Sequence, residues 1–325
     1  MPDTDPGPMA HRPVSPQAAG GTIRSASTGP ASTLLRRYPL LSFFGIAFAI
    51  SWTYVIVLEV IWPLPDTIVT GTPVLLGPVV AGFVMTAATT GREGVRELRA
   101  RIVAWRVPVR WYTVPLLVVP ALYVAGLALV PGALASGSSP AATTLALYPA
   151  LFVVMAFLGG PVLEEPGWRG FALPRLQRRW GPLYGTVVLG LAWALWHAPQ
   201  YLTPTFAASN GGRTVLGVVA FAVALVSFSL LITWVFNHTG ASVFMAIVMH
   251  TCLNFSQAVT SDVFPSAADN EVGPALVLAV AATILVVATR GRLGYPAPSA
   301  EPSRGSGHPT RTSHQNPTPS NGDIA

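Results

Sequence analysis

What this chain can become is decided by a series of long apolar stretches, each close to the length that crosses a bilayer. There are about eight of them, at 38–62, 71–90, 111–131, 147–173, 183–202, 214–236, 240–259 and 273–289, and roughly 17–25 residues suffice to span ~30 Å of hydrocarbon. Only 10% of the residues are charged and 51% are hydrophobic, whereas a soluble domain carries about 25% charged residues. In lipid the backbone must satisfy its own hydrogen bonds, and continuous apolar runs of this length do so as helices. The expected fold is therefore all-α, a polytopic membrane bundle of about eight transmembrane helices within residues 34–292. The flanking segments 1–33 and 293–325 are rich in Pro, Gly, Ser and Thr and poor in large apolar groups, so they read as disordered tails. Residues 1–33 also lack the compact apolar core of a signal peptide. His11, His308 and His314 fall in these tails and are set aside as site candidates.

The net charge of +6 does not point to nucleic acid, because every basic residue is an arginine and the arginines recur between alternate apolar stretches. With the N-terminus inside, the inner loops hold Arg36 and Arg37, the run Arg92 to Arg110, Arg175 to Arg179, and Arg290 with Arg292. The outer segments hold Asp66, Asp262, Asp269 and Glu271, with Arg213 their one basic residue. The positive-inside rule then makes both termini cytoplasmic. The segment 91–111 spaces Val95, Leu98, Ile102 and Trp105 at helical intervals opposite arginines, which predicts an amphipathic helix on the inner membrane surface. Cys252, alone in an apolar stretch, reads as a packing residue.

Against this background "AFLGGPVLEEPGWRGFAL" (156–173) stands out, since a charge within hydrocarbon costs about 2.5–3.5 kcal/mol or more. Glu165 and Arg169 lie four apart on one helical face and suit an ion pair. Glu164 is five residues from Arg169 and has no local partner by spacing, which suits a general base in a low-dielectric site. "LAWALWHAPQ" carries Trp193 and His197 four apart, and "VMHTCLNF" carries His250 and Asn254 four apart. At 1.5 Å per residue, Glu164 lies roughly 15 Å, His197 roughly 20 Å and His250 and Asn254 roughly 16–22 Å from the inner ends of their helices. Singly, an intramembrane His or Asn often bonds across helices as packing glue; together, one Glu, two His and one Asn at one depth on three spans read as a site. Glu59 is near the outer end of the first span and reads as snorkelling outward, and His238 sits in a short inner turn as an interfacial residue.

These residues resemble the motifs of the CPBP (CAAX protease and bacteriocin-processing, or Abi) intramembrane endopeptidases, which include CAAX prenyl protease 2 and the lysostaphin-resistance-protein-A-like proteins. EExxxR is matched by Glu164 to Arg169 and followed by Gly170. FxxxH is matched by Trp193 to His197, with tryptophan for phenylalanine, and HxxxN by His250 to Asn254. "HTGAS" (238–242), Trp196 and Pro199 look familial too. The resemblance covers roughly 145–260.

The resemblance implies an endopeptidase of the plasma membrane that works on a protein or peptide substrate reaching it from the membrane or the cytoplasmic side, through a cavity open to the cytoplasm. It implies that Glu164 and His197 activate a water while His250 and Asn254 stabilise the oxyanion, with Glu165, Arg169 and Trp193 in support. Glu164, His197 and His250 are also a possible zinc set. No HExxH is present, however, and the better-known relatives point to a glutamate mechanism with no cofactor required. The lipid bilayer is the one other partner expected, and no nucleic acid is. No feature of the sequence selects a prenyl group. A transporter, for which the absence of an evident internal repeat is unfavourable, and a non-catalytic immunity or scaffold protein are the alternative readings.

Overall fold

The computed structural model describes residues 30–65, 67–267 and 270–296, and among these it contains helices and no strand. Most of both tails, with their three histidines, and Asp66 and Asp269 therefore lie outside the described residues. Six helical segments are long and apolar enough to cross a membrane: Pro39–Ile61, Val69–Ile102, Val109–Leu127, Ala142–Leu202, Val215–His238 and Val243–Val263. Val272–Ala288 is a shorter apolar helix. Leu191, Val215, Leu216, Ile284 and Val287 are exposed apolar residues on these helices, which is what a lipid-facing surface requires. The chain is an integral membrane protein.

The Ala142–Leu202 segment takes in two of the expected spans, and glycine breaks it twice. The Ala142–Phe157 helix stops before Gly160, whose φ of 111° is open to glycine alone at little cost. Pro161 then starts a new helix, Pro161–Glu165, at a position where its missing N–H leaves no intrahelical bond unmade. The stretch expected to be one interrupted span is thus two helices with the acidic pair in the first turn and a half of the second. A π-helical run, Pro166–Ala172, follows; such wide turns often mark functional sites. At Gly181 (φ 77°) the chain reverses before Pro182, so that Gly185 packs against the backbone of Leu176 and Gln177.

The acidic segment is clamped on its other side by the Leu76–Ile102 helix. A Cβ on Gly82 would stand 2.9 Å from the Gly167 Cα, and one on Gly167 would run into the Pro78 carbonyl, so two backbones touch where small residues permit it. Gly167→Val should therefore lower stability by roughly 1–3 kcal/mol through overpacking, read as a lower melting temperature in detergent; an unchanged melt would contradict the contact.

The same helix bends at Gly91 (φ 67°) and continues to Ile102. Leu98 is only 2% exposed, and Arg101 donates to the Gly170 carbonyl. The amphipathic stretch is thus docked on the segment that bears the acidic pair, while Val103 and Trp105 remain exposed.

Candidate active site

Glu165 is fully buried, and its Oε1 accepts from Arg169 Nη1 at 2.8 Å, as their four-residue spacing predicts. Arg169 also donates to Ser229 Oγ at 3.0 Å and lies 4.5 Å from the centre of the Trp193 ring. One face of the ion pair is thus an aromatic surface. The same Glu165 oxygen holds His250 Nδ1 at 2.9 Å. A carboxylate there takes the imidazole N–H, so Nε2 is the free nitrogen of His250.

Glu164 is 2% exposed, and its partners are indoles. Trp193 Nε1 donates to its Oε2 at 2.7 Å and Trp168 Nε1 donates to the same atom at 3.2 Å. This corrects the expectation of an acid with no local partner: Trp168 stands one helical turn beyond it. The phenylalanine usual at the Trp193 position has no such donor. The other oxygen, Oε1, lies over Gly160, where a Cβ would collide with it. One carboxylate oxygen is therefore anchored, and the other is left for chemistry.

His197 ends its helix with Nδ1 on the Trp193 carbonyl at 2.8 Å, which again leaves Nε2 free. Its ring is stacked on Phe206, with centroids 5.7 Å apart, and meets Trp196 edge-on at 4.6 Å. Asn254 Nδ2 donates to the Gly159 carbonyl at 2.9 Å, one of its two N–H bonds.

Glu164, Trp193, His197, His250 and Asn254 line one cavity of about 620 Å³. The four residues expected to do chemistry therefore share a chamber, and Glu165 and Arg169 stand behind it. Gln200, one 3₁₀ turn after His197, lines the same chamber and is 7% exposed; its Nε2 is buried without a hydrogen-bond partner. Sequence reasoning missed Gln200, Trp168 and Ser229. The spacing from Glu164 to Trp168 and from His197 to Gln200 was visible, whereas nothing local marks Ser229.

Zinc was a possible occupant of Glu164, His197 and His250. Among the described residues no three His, Cys, Asp or Glu side chains are grouped to hold a metal ion, and Trp193 already engages Glu164 Oε2.

Two other expectations change. Glu59 does not merely snorkel: it lines the cavity, as does Glu271. A cavity open to the arginine-rich face was also expected, yet its outer wall comes from the opposite ends of the helices, at Gly71, Ser209, Ser261 and Pro274.

Glu271, between the last two apolar helices, is 6% exposed and accepts from Gln257 Nε2 at 3.0 Å. Burial pushes its carboxyl up to about 7, only partly offset by that hydrogen bond. A carboxyl that binds its proton more tightly when folded makes stability fall as pH rises from about 4.5 to about 7 and level off above. The fall should be about 3 kcal/mol, and Glu271→Gln should remove it, seen as melts that no longer separate between pH 5 and pH 8.

Comparison with known proteins agrees with the motifs. Residues 146–256 match the family described as type II CAAX prenyl endopeptidase Rce1-like. CAAX prenyl protease 2 of Methanococcus maripaludis is 27% identical over 118 residues, which are 35% of this chain. The match spans 42% of that relative's length. Over the motif core that forms the cavity, the chain is similar to the type II CAAX prenyl endopeptidases.

Proposed function

We propose that this protein is an intramembrane endopeptidase of the plasma membrane, acting in CAAX-type protein or peptide processing. The observation that carries the reading is the shared chamber: a carboxylate with one oxygen anchored by two indoles, two imidazoles with Nε2 free, and a carboxamide, all inside an apolar bundle.

In the proposed step a water held between Glu164 Oε1 and His197 Nε2 gives up a proton to the carboxylate and attacks the scissile carbonyl carbon. The C=O electron pair moves onto oxygen. Asn254 offers its second amide N–H to that oxyanion, and His250 donates from Nε2 when protonated, with the charge of Glu165 against its Nδ1. Fixed donors aimed at a developing charge in a dry site are worth about 2.7–4 kcal/mol each. Gln200 supplies a further buried N–H to a substrate carbonyl. Collapse breaks the C–N bond, and the proton taken by Glu164 passes to the leaving amine. The products are a carboxylic acid and an amine, the acid then passing its remaining proton to the amine to give carboxylate and ammonium, so the atoms balance with water as the one co-reactant.

The test is purified protein in lipid nanodiscs with a library of fluorogenic peptides. Cleavage should appear, be lost in His197→Ala, and persist in 1,10-phenanthroline. Loss of activity with the chelator and its return on adding zinc would contradict the metal-free mechanism.

A further inference from the structure

We infer that the chamber selects a substrate segment with a lysine or arginine side chain within three residues of the scissile bond, and that Glu271 is the residue that reads it; this deepens the endopeptidase reading above and rests on it. The chamber follows one face of the Val243–Val263 helix, where His250, Asn254, Gln257, Ala258 and Ser261 all line it. From His250 to Ser261 the helix rises about 16 Å, a length that an extended peptide covers with roughly five residues. The groups proposed to act on the carbonyl, His250 and Asn254, stand at one end of this strip. Gln257 is one turn beyond Asn254, about 4.5 Å along the axis, and its Nε2 donates to Glu271 Oε1 at 3.0 Å. A peptide strand laid along the strip therefore passes Glu271 one to three residues from the bond that is cut.

No structural task uses up the charge of Glu271. It precedes the Val272–Ala288 helix without capping it, because Asn270 Oδ1 accepts from Gly273 N at 3.0 Å in its place. Gln257 gives the carboxylate one neutral donor, and the residue is only 6% exposed. An ionised carboxylate buried with so little compensation is costly until a cation joins it. The chain supplies none: its basic residues are all arginines, and among the described residues no arginine lines the chamber. Arg213 belongs to the loop that packs on Glu271 through Gly211, yet it donates at 2.7 Å to the carbonyls of Tyr201 and Leu202. The two imidazoles in the chamber are held on the Trp193 carbonyl and on Glu165. Gln200 is a separate sign of a peptide ligand, since its Nε2 is buried without a hydrogen-bond partner in the same chamber. Gln200 and Asn254 thus hold main chain whatever the sequence, and Glu271 adds the choice of side chain. An ammonium or guanidinium beside it gains a charge-assisted hydrogen bond, whereas a carboxylate there meets like charge in a low dielectric.

The test uses fluorogenic peptides that carry Lys, Met or Glu in turn at each of three positions on either side of the cleaved bond. They are assayed on protein in zwitterionic lipid nanodiscs at pH 8, where the Glu271 carboxyl is ionised. At one or more positions kcat/KM should favour Lys over Glu at least tenfold, with Met between them. Glu271→Gln keeps an acceptor for Gln257 and should shrink that ratio to less than twofold, and Glu271→Lys should invert it. No preference for Lys at any position, or a ratio unchanged in Glu271→Gln, overturns the inference. The same choice is read without turnover from fluorescence anisotropy of the labelled peptides on Glu164→Gln protein. There the Lys peptide should bind at least tenfold tighter than the Glu peptide, and adding Glu271→Gln should erase the difference. Selective binding by a protein whose wild type cleaves nothing counts against the endopeptidase reading alone; equal binding, or none, overturns the inference.

Discussion

Glu164→Gln abolishes peptide cleavage, with a loss on the order of 10²–10⁴-fold or more, and leaves the fold intact. The carboxamide is nearly the same size, and its carbonyl oxygen can still accept from Trp193 and Trp168, which now grip Oε2. What it cannot do is take a proton from water. The buried ion pair behind it, Glu165 with Arg169, is untouched by the change. Activity measured beside a thermal melt in the same detergent checks both halves: cleavage lost at an unchanged melt is expected, and retained cleavage would remove Glu164 as the base.

The largest loss of stability is expected from Arg169→Leu. Both partners of the Glu165–Arg169 pair are fully buried, and removing one leaves an uncompensated charge, typically at about 3–5 kcal/mol. Ser229 and the Trp193 ring lose their cation too. A fall of roughly 10 °C in melting temperature follows for a chain of this size. The double change Glu165→Leu with Arg169→Leu should recover most of that stability, since apolar replacements for a buried pair are often neutral. Cleavage should stay lost, because His250 no longer has Glu165 on its Nδ1. A double variant as unstable as Arg169→Leu would contradict the electrostatic explanation.

The membrane bundle was legible because hydrocarbon leaves few options: long apolar runs become helices, and charges within them must pair or work. The Glu165–Arg169 pair followed from four-residue spacing, and a common depth for Glu164, His197, His250 and Asn254 followed from the helical rise. The break at Gly160 was not legible, since a hydropathy window treats Gly-Gly-Pro as mildly apolar and cannot see a positive φ. Trp193 was named through its motif and Trp168 was not singled out, because neither spacing nor motif shows which acceptor an indole N–H will find. Glu59 and Glu271 looked like surface acids because their burial depends on which loops fold over them. Which helix ends line the cavity depends on how the bundle packs, and the motifs alone do not carry that.

The most direct measurement is of new protein termini in membranes incubated in ¹⁸O-labelled water, from cells making the wild-type protein or Glu164→Gln. The account predicts termini that appear only with the wild type, each new carboxylate carrying one ¹⁸O from the attacking water. The same labelled termini with Glu164→Gln, or none in either, would contradict it.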